Sequence, residues 1–255
     1  MNSVMVTRTA ETQWQAVSDG RIVGHGDVSN RSDGRLFVSI DVWQDTVFVR
    51  LASAMLADLP TPLHTLVGAA DLDLKARWEQ VGFTVGRRER EYVVPTTPGV
   101  TRFGTMPPPA DVEVLPGAEA DPVRLRALDR AIREEVEAAV GWRTMPAEVV
   151  PNPGGSMPVV DLAKYAVAVR NGRYVGLVRV VPIRRRARIG LIAVLADHQR
   201  HGAGRALLAH ALGSMHRDGI ASAWAEVDES NTAGVALFEG AGARRTGGYL
   251  EMVRS

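Results

Sequence analysis

The chain has 255 residues, 45% of them hydrophobic, which is enough to bury a large core and long for one domain, so two compact units are expected. Thirty Lys and Arg against 29 Asp and Glu leave a net charge of +1, which excludes the global field of a protein that recruits nucleic acid or acidic lipid. With no cysteine, disulfides, thiolate metal ligands and a cysteine nucleophile are excluded as well. Met1 to Arg8 lacks the basic-then-apolar pattern of an export signal, and no stretch approaches the ~20 apolar residues of a membrane span, so a soluble cytoplasmic protein is expected. Only Lys75 and Lys164 are lysines; the dominance of arginine points to a GC-rich, bacterial genome.

In chain order, Asp19-Gly20-Arg21-Ile22-Val23-Gly24 reads as a hairpin turn followed by an alternating strand. Leu36 to Trp43 is a second strand, and it passes almost directly into a helix near Thr46 to Leu59. Pro95-Thr96-Thr97-Pro98-Gly99 and Met106-Pro107-Pro108-Pro109-Ala110 flank a stretch poor in core residues, so residues 96–110 read as a linker. Beyond it come a short strand, Val112 to Leu115, and a helix from about Pro122 to Val140 with Leu125, Leu128, Ile132 and Val136 on one face. The first half has no room for an equivalent helix before Trp14. Asn171-Gly172-Arg173-Tyr174-Val175-Gly176 then repeats the hairpin of residues 19–24. Likewise Phe238-Glu239-Gly240-Ala241-Gly242-Ala243 parallels Trp78-Glu79-Gln80-Val81-Gly82-Phe83.

The most informative stretch is Gln199-Arg200-His201-Gly202-Ala203-Gly204-Arg205-Ala206. It runs out of the apolar strand Arg188 to Leu195 into a helix that places Leu207, Leu208, Ala211, Leu212 and Met215 on one stripe. Gly202 and Gly204 carry no side chain to block a ligand, and the first free N–H groups of a helix favour an anion. A P-loop needs Lys and then Ser or Thr after its last glycine, and a dinucleotide fingerprint needs a small residue where Leu207 stands; both fit poorly. Downstream, Ala223 to Val227 reads as an alternating strand, followed by Asp228-Glu229-Ser230-Asn231 and a short helix.

Loop, strand and helix together resemble the GNAT superfamily of N-acetyltransferases, whose acyl-CoA loop reads Q/R-x-x-G-x-G/A, here Gln199, Gly202 and Gly204. The resemblance covers roughly residues 111–255. It implies an α/β (α+β) protein of two GNAT-like halves, each a mixed, mostly antiparallel sheet flanked by helices. Residues 1–95 would be a degenerate, truncated copy without the pyrophosphate loop, 96–110 the linker, and 111–255 the acetyl-CoA-binding domain. By the same resemblance, Ile192, Ala193 and Val194 would meet the pantetheine arm. Amides from Arg200 through His201, Gly202, Ala203, Gly204 and Arg205 to Ala206 would take the pyrophosphate. Asn231 and Phe238 match positions that contact coenzyme A, Phe238 standing where the family often has a tyrosine that protonates the leaving thiolate, and Ala243 stands where the family usually has an aromatic residue.

By the same resemblance, Glu226, twelve residues before Phe238, is the candidate general base, a glutamate so placed deprotonating the acceptor in some members of the family. A lysine-type amine of pKa ~10.4 needs such a group, because reaching its neutral form at pH 7 costs about 4.6 kcal/mol. The activity implied is acetyl transfer from acetyl-CoA to a small-molecule or peptide amine by direct attack. The alternative is a non-catalytic acyl-CoA-binding module. No metal, nucleic acid or membrane partner is expected, and the chain is read as a monomer or homodimer. His198 and His201 read as solvent-facing loop residues, Arg184 to Arg188 as a solvated turn, and Pro151 to Ser156 as a loop over the acceptor pocket. Glu134, Glu135 and Glu137 are an acidic lure for a cation, or simply an exposed helix face.

Overall fold

A computed structural model describes residues 4–31, 33–103, 106–139, 161–183 and 186–255. Pro151 to Ser156 and Arg184-Arg185, singled out above, lie outside the described residues. The chain divides into two compact units, and in described residues the first comprises 4–88 and 248–255, the second 89–139 and 161–247.

In the first unit, β1 (Met5–Ala10), β2 (Gln13–Ser18), β3 (Arg21–Asn30) and β4 (Leu36–Val42) form an antiparallel meander. Asp19 and Gly20 turn β2 into β3 at φ 50° and 72°, both in the left-handed region that this two-residue hairpin requires. Helix α1 (Asp45–Asp58) follows β4 after only Trp43 and Gln44 and buries Val47, Phe48, Leu51, Ala52 and Met55. β5 (Leu63–Gly68) lies parallel to β4, α2 (Leu72–Gln80) follows, and β6 (Thr84–Pro95) begins in this unit.

The second unit repeats the order. β7 (Val112–Pro116), α3 (Pro122–Ala139), β8 (Tyr165–Arg170), β9 (Arg173–Ile183) and β10 (Arg186–Val194) are followed by α4 (Ala203–Arg217), β11 (Ser222–Asp228), α5 (Thr232–Gly240) and β12 (Arg244–Arg254). Asn171 and Gly172 repeat the hairpin geometry at φ 49° and 73°. Asp71 caps α2 by accepting from the Leu74 amide, and Asn231 caps α5 by accepting from Gly234, each at 2.9 Å. In the first unit only Glu11 and Thr12 separate β1 from β2, so the counterpart of α3 is missing, as its length implied.

The boundary differs from a division in chain order. β6 follows α2, yet its residues Glu89–Pro95 pair antiparallel with β11 in the second unit. β12 follows α5, yet its residues Tyr249–Arg254 pair with β5 in the first. Each copy's last strand therefore completes the other copy's sheet. Alternation along a strand reveals which face is buried but not which neighbour it pairs with, and the expected blocks 1–95 and 111–255 missed the exchange for that reason.

Apolar side chains sort by face. In the second unit α4 and α5 cover one side of the sheet with Leu207, Leu208, Leu212, Met215 and Phe238. Helix α3 covers the other side with Leu125, Leu128 and Ile132 against Val167 and Leu177. In the first unit Phe48, Trp78 and Phe83 stack edge to face at 4.8–5.0 Å between centroids.

The exchanged strand β12 brings a buried carboxylate into the first unit. Glu251, 7% exposed, accepts from the Arg35 guanidinium at 2.7 Å and Arg87 at 2.9 Å, with His64 Nδ1 at 3.0 Å. Burial alone pushes its carboxyl up, but the His64 hydrogen bond and the Arg87 and Arg35 charges outweigh burial and hold it below the ordinary carboxylate value. A depressed carboxylate stabilises the fold above its unfolded pKa of ~4.3, and that contribution is lost as pH falls through the folded value. Glu251→Gln is expected to cost about 3 kcal/mol at pH 7 in urea denaturation, a cost that shrinks as both proteins are taken below pH 4.

Candidate functional site

β10 and β11 run parallel, but their pairing comprises only Ala187 with Ala223 and Arg188 with Trp224. Beyond those rungs β10 continues as Ile189–Val194, paired on its other side with β9, and β11 continues as Ala225–Asp228, paired on its other side with β6. Among the described residues no backbone rung joins the two strands past the fork. The register of β10 slips between Ile189 and Leu191, at Gly190. Such an irregularity bends a strand away from its neighbour. Ile192 and Val194 pack toward α4, and Ala193 toward α3.

The end of β10 leads through a short 3-10 turn, Ala196–His198, into the glycine loop. Glu135 of α3 accepts from the Ala196 amide at 2.9 Å, so this glutamate fastens the turn instead of standing free on an exposed face. The Gln199 side-chain amide donates to the Val194 carbonyl at 3.0 Å and ties the loop back to the strand it leaves. Arg200 and Gly202 both adopt left-handed backbone, at φ 64° and 84°, and His201 lies between them. Alternation of this kind turns successive N–H groups into a concave nest.

Helix α4 opens at Gly202 with no side-chain cap. Among the described residues, the amides of Arg200, His201, Gly202, Ala203, Gly204 and Arg205 meet no protein acceptor. The Ala206 amide, expected to join them, donates instead to the Gly202 carbonyl at 3.0 Å; it makes the first hydrogen bond of the helix and is not available to a ligand. Six consecutive donors at the positive end of a helix of 15 residues form a site for a large anion.

Glu226 stands on β11 two positions past the last rung of the fork. Arg188, at that last rung, donates from Nε to Glu226 Oε2 at 2.8 Å, with the two side chains 27% and 17% exposed. Sequence reasoning placed Arg188 in a solvated turn and missed this partnership. The signal was present: Arg188 is flanked by the apolar Ala187 and Ile189, and a cation in such a strand needs an anion on the same face of its neighbour.

Phe238 is 2% exposed and stacks on Tyr92 of β6, with centroids 6.0 Å apart and planes 11° from parallel. The Tyr92 hydroxyl lies 2.8 Å from Glu239 Oε1. Burial pushes this hydroxyl above its ordinary value, Arg90 opposing and Glu239 assisting. The expected tyrosine position is thus a core phenylalanine, and the nearby phenol is already engaged. Asn231 is an exposed helix cap. Among the described residues, no group of three His, Asp or Glu side chains is placed to hold a metal ion, and no helix is long and apolar enough to cross a membrane.

The model of the acetyltransferase (GNAT) family matches residues 151–243. The chain is similar to the [ribosomal protein bS18]-alanine N-acetyltransferase of Escherichia coli strain K12, 49% identical over 51 residues. That stretch is 20% of this chain and 34% of the enzyme, so the chain spans about a third of the relative it matches. In three dimensions the GCN5-related N-acetyltransferase of Sphaerobacter thermophilus superposes with a TM-score of 0.69 at 20% identity, covering 97% of this chain and 82% of that one. A tandem GNAT protein from the clavulanic acid biosynthesis pathway gives a TM-score of 0.61 at 14% identity, with 94% and 81% covered. The fold is therefore that of GNAT proteins, the tandem kind included.

The two glycines of the loop differ in what they tolerate. A Cβ at Gly202 would lie 2.6 Å from Pro109 Cγ on a left-handed backbone, whereas one at Gly204 would meet only Val194 and Leu237 at 3.8 and 3.9 Å. Gly202→Ala should lower stability by about 1–2 kcal/mol, and Gly204→Ala should be neutral or stabilising by up to about 1 kcal/mol, as read from urea midpoints.

Proposed function

We propose that the second unit is an N-acetyltransferase that takes acetyl-CoA as co-substrate and passes its acetyl group to a primary amine. The observation that carries this reading is the run of six unpartnered amides from Arg200 to Arg205 at the head of the β10–β11 fork. A diphosphate fits those donors, and an extended arm fits the fork, where the free edge of Ile192 to Val194 offers backbone groups to a ligand lying alongside as an added strand.

The chemistry needs little else. The amine lone pair attacks the thioester carbonyl carbon and the carbonyl becomes an oxyanion. As that intermediate collapses, the carbon–sulfur bond breaks and the thiolate departs. The proton lost by the nitrogen goes to Glu226, directly or through water. Arg188 fixes one oxygen of that carboxylate and leaves Oε1 to face the substrate. The acceptor class best supported is a peptide α-amine. The similar enzyme's name specifies an alanine of a ribosomal protein, and an α-amine of pKa ~7.7–8.0 costs only about 1 kcal/mol to neutralise at pH 7, against about 4.6 for a lysine side chain. A second reading, an acyl-CoA-binding module without turnover, is favoured by one observation: Phe238 has no hydroxyl to give.

Calorimetry with acetyl-CoA, followed by a thiol-release assay over a panel of small amines and peptides with free N-termini, tests the proposal. Binding in the micromolar range with release on peptides supports it, binding without release on any amine leaves the module, and absence of binding defeats both. If Glu226 is the base, Glu226→Gln should lower kcat by about 10² or more with the acetyl-CoA Kd changed less than about twofold.

A further inference from the structure

The second copy's sheet contains a strand of the first copy, and that strand brings a carboxylate with it. In the register of β6 on β11, Glu91 stands directly opposite Glu226. Their neighbours Tyr92 and Ala225 belong to the core covered by α4 and α5, so by alternation both glutamates point to the other face of the sheet, the face on which Arg188 reaches Glu226. Opposed residues of an antiparallel pair carry their Cβ atoms about 5 Å apart. Glu91 is partly buried, and its Oε1 accepts from the Thr246 hydroxyl.

Each carboxylate is thus held by one oxygen, Glu226 through Oε2 by Arg188 and Glu91 through Oε1 by Thr246. Among the described residues no protein donor meets the other oxygen of either. The charges do not balance: Arg188 offsets one carboxylate, and Thr246 brings a hydroxyl without charge. Asp228 and Glu89 form the next opposed pair on this face and are themselves acidic, Asp228 accepting from the Ser230 amide and hydroxyl. Arg90, between Glu89 and Glu91, points by alternation to the other face and pairs with Glu229. Like charges set opposite one another destabilise a sheet. A cation seated between the two free oxygens removes that cost, and an α-amine of pKa ~7.7–8.0 is mostly such a cation at pH 7.

We propose that Glu91 belongs to the acceptor site, where it takes the amine in its ammonium form and accepts its first proton, so that the last strand of the first copy is part of the second copy's catalytic apparatus. This rests on the transferase reading. Making an amide from an ammonium removes two protons from the nitrogen, and a single base accounts for one. The strand order β6, β11, β10 gives both protons a destination in turn. An amine arriving from the β6 side meets Glu91, then Glu226 one strand spacing of about 4.8 Å further on, then the fork. The first proton passes to Glu91 and frees the lone pair. The lone pair forms the carbon–nitrogen bond at the thioester carbonyl, the second proton passes to Glu226, and the carbon–sulfur bond breaks with its electron pair leaving on the thiolate. Both carboxylic acids then return their protons to water.

The test compares wild type with Glu91→Gln in the full chain, using a peptide with a free α-amine as acceptor, at pH 6.5 and at pH 9.5. At the lower pH about one amine in twenty is neutral, and at the higher pH nearly all are. Glu91→Gln should lower kcat/KM at least tenfold at pH 6.5 and no more than twofold at pH 9.5, with the acetyl-CoA Kd changed less than twofold at both. A loss of equal size at the two pH values, or none at pH 6.5, overturns the proposal and leaves the transferase reading standing. Wild type inactive on every amine defeats both. Glutamine keeps the shape of glutamate and removes a like charge, so the variant should fold. If it does not, Glu91→Thr, a neutral residue suited to a strand, takes its place, and failure of both to fold makes Glu91 structural and overturns the proposal.

Discussion

The candidate site depends on a parallel pairing that stops after two residues. Parallel strands ordinarily bond along their whole length, and each unpaired N–H or C=O inside a protein is costly unless something else meets it. Here β10 and β11 part after Arg188 and Trp224, and both strands keep their other neighbours, so the sheet holds while a slot opens inside it. Gly190, where the register slips, lets β10 diverge; the ladder on the β9 side carries the strand on to Val194. The glycine loop and α4 follow the end of β10, which sets a helix N-terminus beyond the parted strands, and Glu226 stands on the unpaired stretch of β11.

The first unit contains the same fork without the same chemistry. β4 and β5 pair only at Leu36 with Leu63 and Phe37 with His64, and a helix again follows β4. The connection is Trp43-Gln44 alone, with no residues left over to form a nest. The cleft beside it is lined by Asp41, Asp71 and Asp73 together with Arg77, so a diphosphate approaching it meets three carboxylates and one cation in place of a run of amides. The same topology therefore carries different electrostatics. What the first unit holds firmly is Glu251, donated by the last strand of the chain and gripped by two arginines and a histidine. An ion cluster of this kind does less for raw stability than for specificity, because a slipped or unpaired β12 would strand the arginines without their carboxylate.

Much of this was readable beforehand because it is local. The apolar stripe of α4, the glycines of the loop, the Asn231 cap and the paired hairpins at Asp19 and Asn171 follow from periodicity and turn chemistry, and the elements formed where those rules put them. What escaped depends on neighbours that the sequence does not name. The exchange of β6 and β12 is one such case, since both candidate partners for each strand present an apolar face of the same period. Arg188 is another: a single cation in a strand reads as solvated until the register sets Glu226 beside it. The Glu135 bond to Ala196 and the seat of Pro109 over Gly202 likewise join residues 61 and 93 positions apart in the chain. Ala206 was misjudged by one residue, the width of the difference between the last free amide and the first bonded one.

The missing tyrosine bears on which substrate such a site can serve. A thiol of pKa ~8.5 leaves as its anion near pH 7 at a cost of about 2 kcal/mol, so an enzyme without an acid at the sulfur forfeits a modest advantage. The heavier burden lies on the amine, whose deprotonation differs by more than 3 kcal/mol between a peptide N-terminus and a lysine side chain. A site whose base at the attack step is one carboxylate, fixed on one side by Arg188, with a buried phenylalanine where the acid would stand, is better matched to the easier nucleophile. Under the proposed function, the phenylalanine at position 238 and an α-amine acceptor would be two sides of one energy balance: with a nucleophile that gives up its proton readily, the smaller penalty of an unprotonated leaving group is the one left standing.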